Sequence, residues 1–288
     1  MADNPSAILA TLESWLNDRL SSEASAWFTE KRVSLQEDRD FYLTFALAPR
    51  KLGKADLQPT ESESQEAEAS CPGWDASGWT VDQAARIALL LSGPEEAFVR
   101  RLNKLCATGD IGEQVTLYQA LPLYPNPDSL ANRAAEGLRS NVVPVYQAVA
   151  HGNPFPRLYF EEAAWNQMVL KALFIGSRLH PILGLDERAN EPLASTMIDY
   201  AHERWAAHRD VSPELWRCVG PFLNESRIPD IKRAWASEGL MSREAAGLSL
   251  AESDHPEAKT ILETDAKIKD GIDSGEISWS LIYQTLSS

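Results

Sequence analysis

NEPLASTMIDYAHERWAAHRD, residues 190–210, decides how the chain is read. Two histidines, a glutamate and two aspartates fall within its last twelve residues, which suggests a metal site on a helix. The first letters read as a helix start. Asn190 is a good N-cap, and Pro192 sits in the first turn, where a missing N–H is tolerated. On a helical wheel Ala194, Met197, Ile198, Ala201, Trp205 and His208 form one stripe, expected to face the core. Asp199 and Glu203 lie about opposite, and His202 lies at the boundary.

A zinc-protease helix needs His-Glu-x-x-His, because side chains four apart share a face and can grip one ion. Here Ala206 stands where the second histidine belongs. His208 comes six residues after His202, about 240° round the helix at ~100° per residue. A di-iron bundle repeats Glu-x-x-His on two helices; Asp199-x-x-His202 is a shortened half with no second copy. No metal and no cofactor is expected. The reading is an amphipathic helix with a solvated acidic side, and Trp205 and His208 beneath are candidates to line a pocket.

The same helical spacing recurs along most of the chain. Ile8, Leu9, Leu12, Trp15, Leu16 and Leu20 form a first stripe. Ser34 with Glu37 reads as a capping box for a helix to about Ala48. Thr80 with Gln83 opens another at TVDQAARIALLLS. Helix starts follow at Gly93-Pro94, at Asp110, at Asp128 or Ser129 and at Ser212-Pro213, with breaks at Gly152-Asn153-Pro154 and Gly220-Pro221. No run of alternating β-branched residues competes, so the fold class is all-α. Short connections imply antiparallel neighbours, hence an α-hairpin stack, a HEAT-like right-handed α-α superhelix without a clean repeat period. The expected division is N-terminal helices over 1–50, an acidic Ser-rich loop over 51–79, a helical solenoid core over 80–225, and C-terminal helices over 226–288 packing as a cap.

Net charge is −15, from 27 basic and 42 acidic side chains, and no dense basic stripe offsets it. That field repels nucleic acid and anionic lipid. Cys71, Cys106 and Cys218 are dispersed and odd in number, which suggests a reducing compartment; the protein is expected to be cytoplasmic. MADNPSAILATLESWL lacks the basic start of a signal peptide, and no run is long and apolar enough to span a membrane. Glycine-rich phosphate loops, GxSxG elbows and DDxxD motifs do not occur. Cys218, though near His208 in sequence, reads as a packed thiol.

In WNQMVLKALF, 165–174, Trp165, Met168, Val169 and Ala172 form one seam. Ala163, Leu170 and Phe174 form another, so the helix is expected to be central and buried on two sides. Asn166 and Gln167 lie beside these seams, and Gln167 must find amide partners, in a neighbouring helix end or in a ligand cavity.

Three stretches together resemble the EboA family: WNQMVLKALF at 165–174, GLDERAN at 184–190 and DYAHERWAAHRDVSPELWRCVGPF at 199–222. DFYLTFALAPR at 40–50 is a further piece. The resemblance implies a metabolite-traffic protein acting beside a UbiA-like prenyltransferase and TatD-like and sugar-isomerase-like proteins; it carries over no catalytic residue. The resulting expectation is a non-enzymatic protein that binds a small hydrophobic or aromatic metabolite, or a partner protein of a prenyltransferase-containing export pathway that recruits it to a membrane. Its candidate ligand-binding residues are Trp165, Asn166, Gln167, His202, Trp205, His208 and Trp216. The alternatives are an enzyme acting on an isoprenoid-like or aromatic metabolite through His202, Glu203 and Asp186, and a pure interaction scaffold.

Overall fold

The structure is a computed structural model, and it describes residues 5–287. Residues 1–4, where the N-terminal stretch considered above begins, lie outside the described residues. Among the described residues the protein is all-helical, and a lone antiparallel bridge between Asp56 and Thr80 is the nearest approach to a strand. The chain divides after Phe160 into two compact units. The division therefore falls inside the 80–225 stretch read above as one core.

The first unit runs through α1 (Pro5–Arg19), α2 (Ser22–Arg32), α3 (Asp38–Leu52), α4 (Glu61–Ser70), α5 (Val81–Leu91), α6 (Glu95–Thr108), α7 (Ile111–Gln119), α8 (Ala131–Arg139), α9 (Val143–Ala150) and α10 (Phe155–Tyr159). Its centre is α5, where every residue from Val81 to Leu90 except Gln83 is buried and which packs on α1, α3, α6 and α7. Such a helix, apolar nearly all round, needs neighbours on every side. The Gln83 side chain bonds back to the Thr80 N–H at 2.9 Å, as the spacing predicted. At Asp110 a full capping box forms with Glu113.

Three local expectations are corrected. Ser34 does not cap α3, because its hydroxyl donates instead to the Lys31 carbonyl at the end of α2, and the helix starts at Asp38. Neither Asp128 nor Ser129 caps α8; a 3-10 turn over Pro127–Leu130 precedes it, and the Ser129 hydroxyl closes that turn on the Asn126 carbonyl. The third concerns 51–79. This stretch holds a helix, α4, with its own capping box between Thr60 and Glu63. Tertiary contacts order it. Arg19 grips both Glu63 oxygens at 2.7 and 2.6 Å, Ala67 is buried, and Trp74 stacks on Trp15 at 5.3 Å and meets Trp79 at 5.9 Å.

The second unit holds α11 (Glu162–Phe174), α12 (Glu191–Ala206), α13 (Ile228–Trp235), α14 (Leu240–Ala251), α15 (Pro256–Leu262), α16 (Ala266–Asp273) and α17 (Trp279–Ser287). Between α12 and α13 the stretch begun by Ser212-Pro213 winds as 3-10 turns, Pro213–Cys218 and Gly220–Phe222. At the centre stands α14, buried without a break from Ala245 to Leu250 and packed against Pro213–Cys218, α13, α15, α16 and α17. Residues beyond 226 thus supply the middle of this unit and do not form a cap upon it. The helix α11 is buried on one seam only: Trp165, Met168, Val169 and Ala172 are inside, while Ala163 is exposed and Phe174 is 59% exposed.

Candidate functional site

Asn190 caps α12 as expected, its side chain accepting from the Leu193 N–H at 2.9 Å. It also exchanges two amide hydrogen bonds with Asn166, at 2.9 and 2.8 Å. The pair fastens α11 to the start of α12, so Asn166 has a structural partner. Next to Asn166 in the chain, the buried Trp165 ring carries the Arg188 guanidinium at 4.6 Å from its centroid. Gln167 is exposed and lies outside the one seam that α11 buries.

The far end of α12 departs from the wheel. The helix stops at Ala206, and His208 adopts φ 54°, the left-handed conformation of a C′ residue. The His208 N–H reaches the Trp205 carbonyl at 3.1 Å and the Arg209 N–H reaches the Arg204 carbonyl at 2.9 Å, the two bonds of a Schellman motif. Unwinding there carries His208 off the apolar stripe and leaves it exposed, correcting its placement in the core.

Trp205 is the hinge of the site. Its ring stacks with the buried Trp216 at 6.0 Å and 29°, and lies 5.9 Å from the His202 ring. From α13 the Arg233 guanidinium lies over the Trp205 ring at 4.1 Å. Trp205 is itself only half-buried, unlike the stripe residues earlier in α12, because its outer side borders an open cleft. That cleft has a volume of about 540 Å³ and is bounded by Trp205, Trp216, Arg209, Val211, Arg233 and Ser242, with Asp210 and Glu238 also on its wall. His202 does not enter it. Its Nε2 meets an Asp230 carboxylate oxygen at 2.6 Å, tying α12 to α13.

The structure thus brings His202, Trp205 and Trp216 together and leaves Trp165 and Asn166 in a separate cluster. Sequence reasoning missed Arg233. Its helix, IPDIKRAW, buries Ile228, Ile231 and Ala234, and only this periodicity hints at which side Arg233 takes. Glu214 was missed as well: it is 3% exposed, and one of its oxygens accepts from the Leu179 and His180 N–H groups at 3.1 and 2.8 Å.

None of the polar groups proposed for acid–base work lines the cleft, and His202 and Asp186 are engaged elsewhere. Asp186 receives both arms of Arg217 at 2.6 Å, and Glu203 is exposed. Burial pushes the Cys218 thiol up to about 12, so it stays protonated at neutral pH, as a packed thiol does. Among the described residues no three of the His, Cys, Asp and Glu side chains gather as metal ligands would, and no helix is long and apolar enough to cross a membrane.

Against known proteins, the family model described as metabolite traffic protein EboA matches residues 8–220. No curated protein and no solved structure matches. The matched range includes Trp205 and Trp216, whereas Arg233 and Ser242 lie beyond it.

Proposed function

The chain belongs to the EboA family, and we propose that it is a non-enzymatic binding protein for a small aromatic or hydrophobic metabolite, held in the Trp205–Trp216 cleft. The observation that carries this reading is the pair of stacked indoles opening onto a cleft large enough for a small molecule. Ligand sites combine such aromatic walls with a few placed polar groups. An enzyme requires its acid and base to converge within hydrogen-bond reach of one reacting atom. The engagement of His202 by Asp230 and of Asp186 by Arg217 speaks for binding without turnover.

Two finer readings belong to the same proposal. Within the first unit the helices are arranged as a HEAT-like stack of α-hairpins, a reading supported by the packing of successive helices such as α2 on α3, α6 on α7 and α8 on α9. The protein works in the cytoplasm, beside proteins of a prenyltransferase-containing pathway at a membrane; of this, the family's description supports the part in metabolite traffic. Native mass spectrometry of chain purified from its own host tests the central claim. A small molecule is expected to accompany the wild type and to be missing from Trp205→Leu. Identical spectra from both, with no added mass, would refute binding in this cleft.

A further inference from the structure

The cleft is lined by two arginines that no carboxylate among the described residues neutralises. Arg209 and Arg233 both line it, and no carboxylate among the described residues lies within ion-pair distance of either. The natural partner for Arg233 is Asp230, one turn back on α13, since charges three apart on a helix are neighbours. Asp230 is occupied by His202 at 2.6 Å. Arg233 is therefore left with the Trp205 face at 4.1 Å, which holds the guanidinium plane against the indole while leaving its N–H donors unspent. This contrasts with Arg19, Arg217 and Arg227, each of which forks onto a carboxylate.

Resting on the reading of the cleft given above, we propose that its ligand is an aromatic acid: a flat ring that packs beside the Trp205–Trp216 stack and carries a carboxylate, or a like anion, that Arg233 binds with Arg209 in support. A guanidinium pinned on an aromatic wall is suited to this task. Its fork matches a carboxylate in two parallel hydrogen bonds, and the stacking removes much of the side-chain freedom that binding would otherwise have to freeze. The net charge of −15 does not oppose such binding strongly, because charges beyond ~8 Å are screened at physiological salt. Asp210 and Glu238 sit exposed on the same wall, so a cationic ligand is the direct competitor that the test has to include.

Three probes of one shape separate the possibilities: naphthoate, naphthamide and naphthylmethylammonium, titrated calorimetrically into the full chain at physiological salt. Naphthoate is expected to bind most tightly. Arg233→Gln, which keeps a long stem, should weaken naphthoate by at least about tenfold and change naphthamide by less than about twofold. Trp205→Leu should weaken all three. If naphthamide or the ammonium probe binds as well as naphthoate, or if Arg233→Gln weakens all probes equally, the acid is not recognised and this inference is overturned while the binding cleft stands. If no probe binds, or if Trp205→Leu leaves binding unchanged, the cleft itself is misassigned and both readings fall.

Discussion

Trp165 and Trp205 belong to neighbouring helices and to the same stretch of family-like sequence, yet their surroundings make them different tools. Trp165 is fully buried under the Arg188 guanidinium, whereas Trp205 is half-buried at the edge of a cleft. Trp165→Ala is expected to cost ~3–5 kcal/mol through lost burial and the cavity left behind. Trp205→Ala should cost clearly less in urea unfolding while abolishing the ligand. The reverse ordering would show that Trp205 carries the core. Asn190→Ala removes both the cap of α12 and the amide pair to Asn166, and is expected to cost ~1–2 kcal/mol. Glu203→Ala, on the exposed side of the same helix, should change stability by less than ~0.5 kcal/mol, which denaturant midpoints resolve easily.

Helix α4 owes its order to α1, and that dependence has a pH signature. The Arg19 fork holds the Glu63 carboxyl well below its ordinary value, at about 2. A depressed folded pKa stabilises the fold above the ordinary glutamate range and loses that contribution as pH falls toward the folded value. Glu63→Gln is therefore expected to be less stable than wild type at pH 7, with the difference closing as pH falls below about 4.5 toward about 2. Urea midpoints at pH 7 and pH 3 test this; a difference that does not shrink would place the contribution elsewhere. In the second unit, a Cβ added at Gly220 would meet the Ser249 backbone at 2.8 and 2.9 Å, backbone that is fixed within the buried run of α14. Gly220→Ala is expected to cost ~1–3 kcal/mol by overpacking. A melting temperature equal to wild type would mean that the 3-10 turn yields.

A chain truncated after Leu223 would lose α14, and with it the Ser249 hydroxyl that donates to the Trp216 carbonyl at 2.7 Å and the helix against which Pro213–Cys218 packs. The second unit is then expected to lose its cooperative transition, with a fall in helical circular dichroism larger than the deleted residues alone account for. Full retention of that transition would restore the view of 226–288 as a removable cap. The cleft would lose Arg233 and Ser242 in the same cut, so the ligand is expected to be lost as well.

Helical class was legible in the residues themselves, because it rests on spacing and on caps that act within a few positions. Asn190 with Leu193, Asp110 with Glu113 and Gln83 with Thr80 all make bonds three residues apart, and a sequence displays such pairs directly. The same locality explains the failures. The acidic composition of 51–79 promised no apolar burial, but Arg19, 44 residues from Glu63, and Trp15, stacked on Trp74, supply the order from outside the segment. His208 followed the wheel on paper and left it in the fold, since a helix that ends two residues earlier in a Schellman turn breaks the periodicity on which the wheel depends. Trp205 and Trp216 stood out as candidates because tryptophan is conspicuous; that they stack, that Arg233 closes on them and that His202 takes the carboxylate Arg233 would have used depend on α12 and α13 lying side by side. Local propensity chose the helices, and long-range packing chose which of their side chains face one another across the cleft.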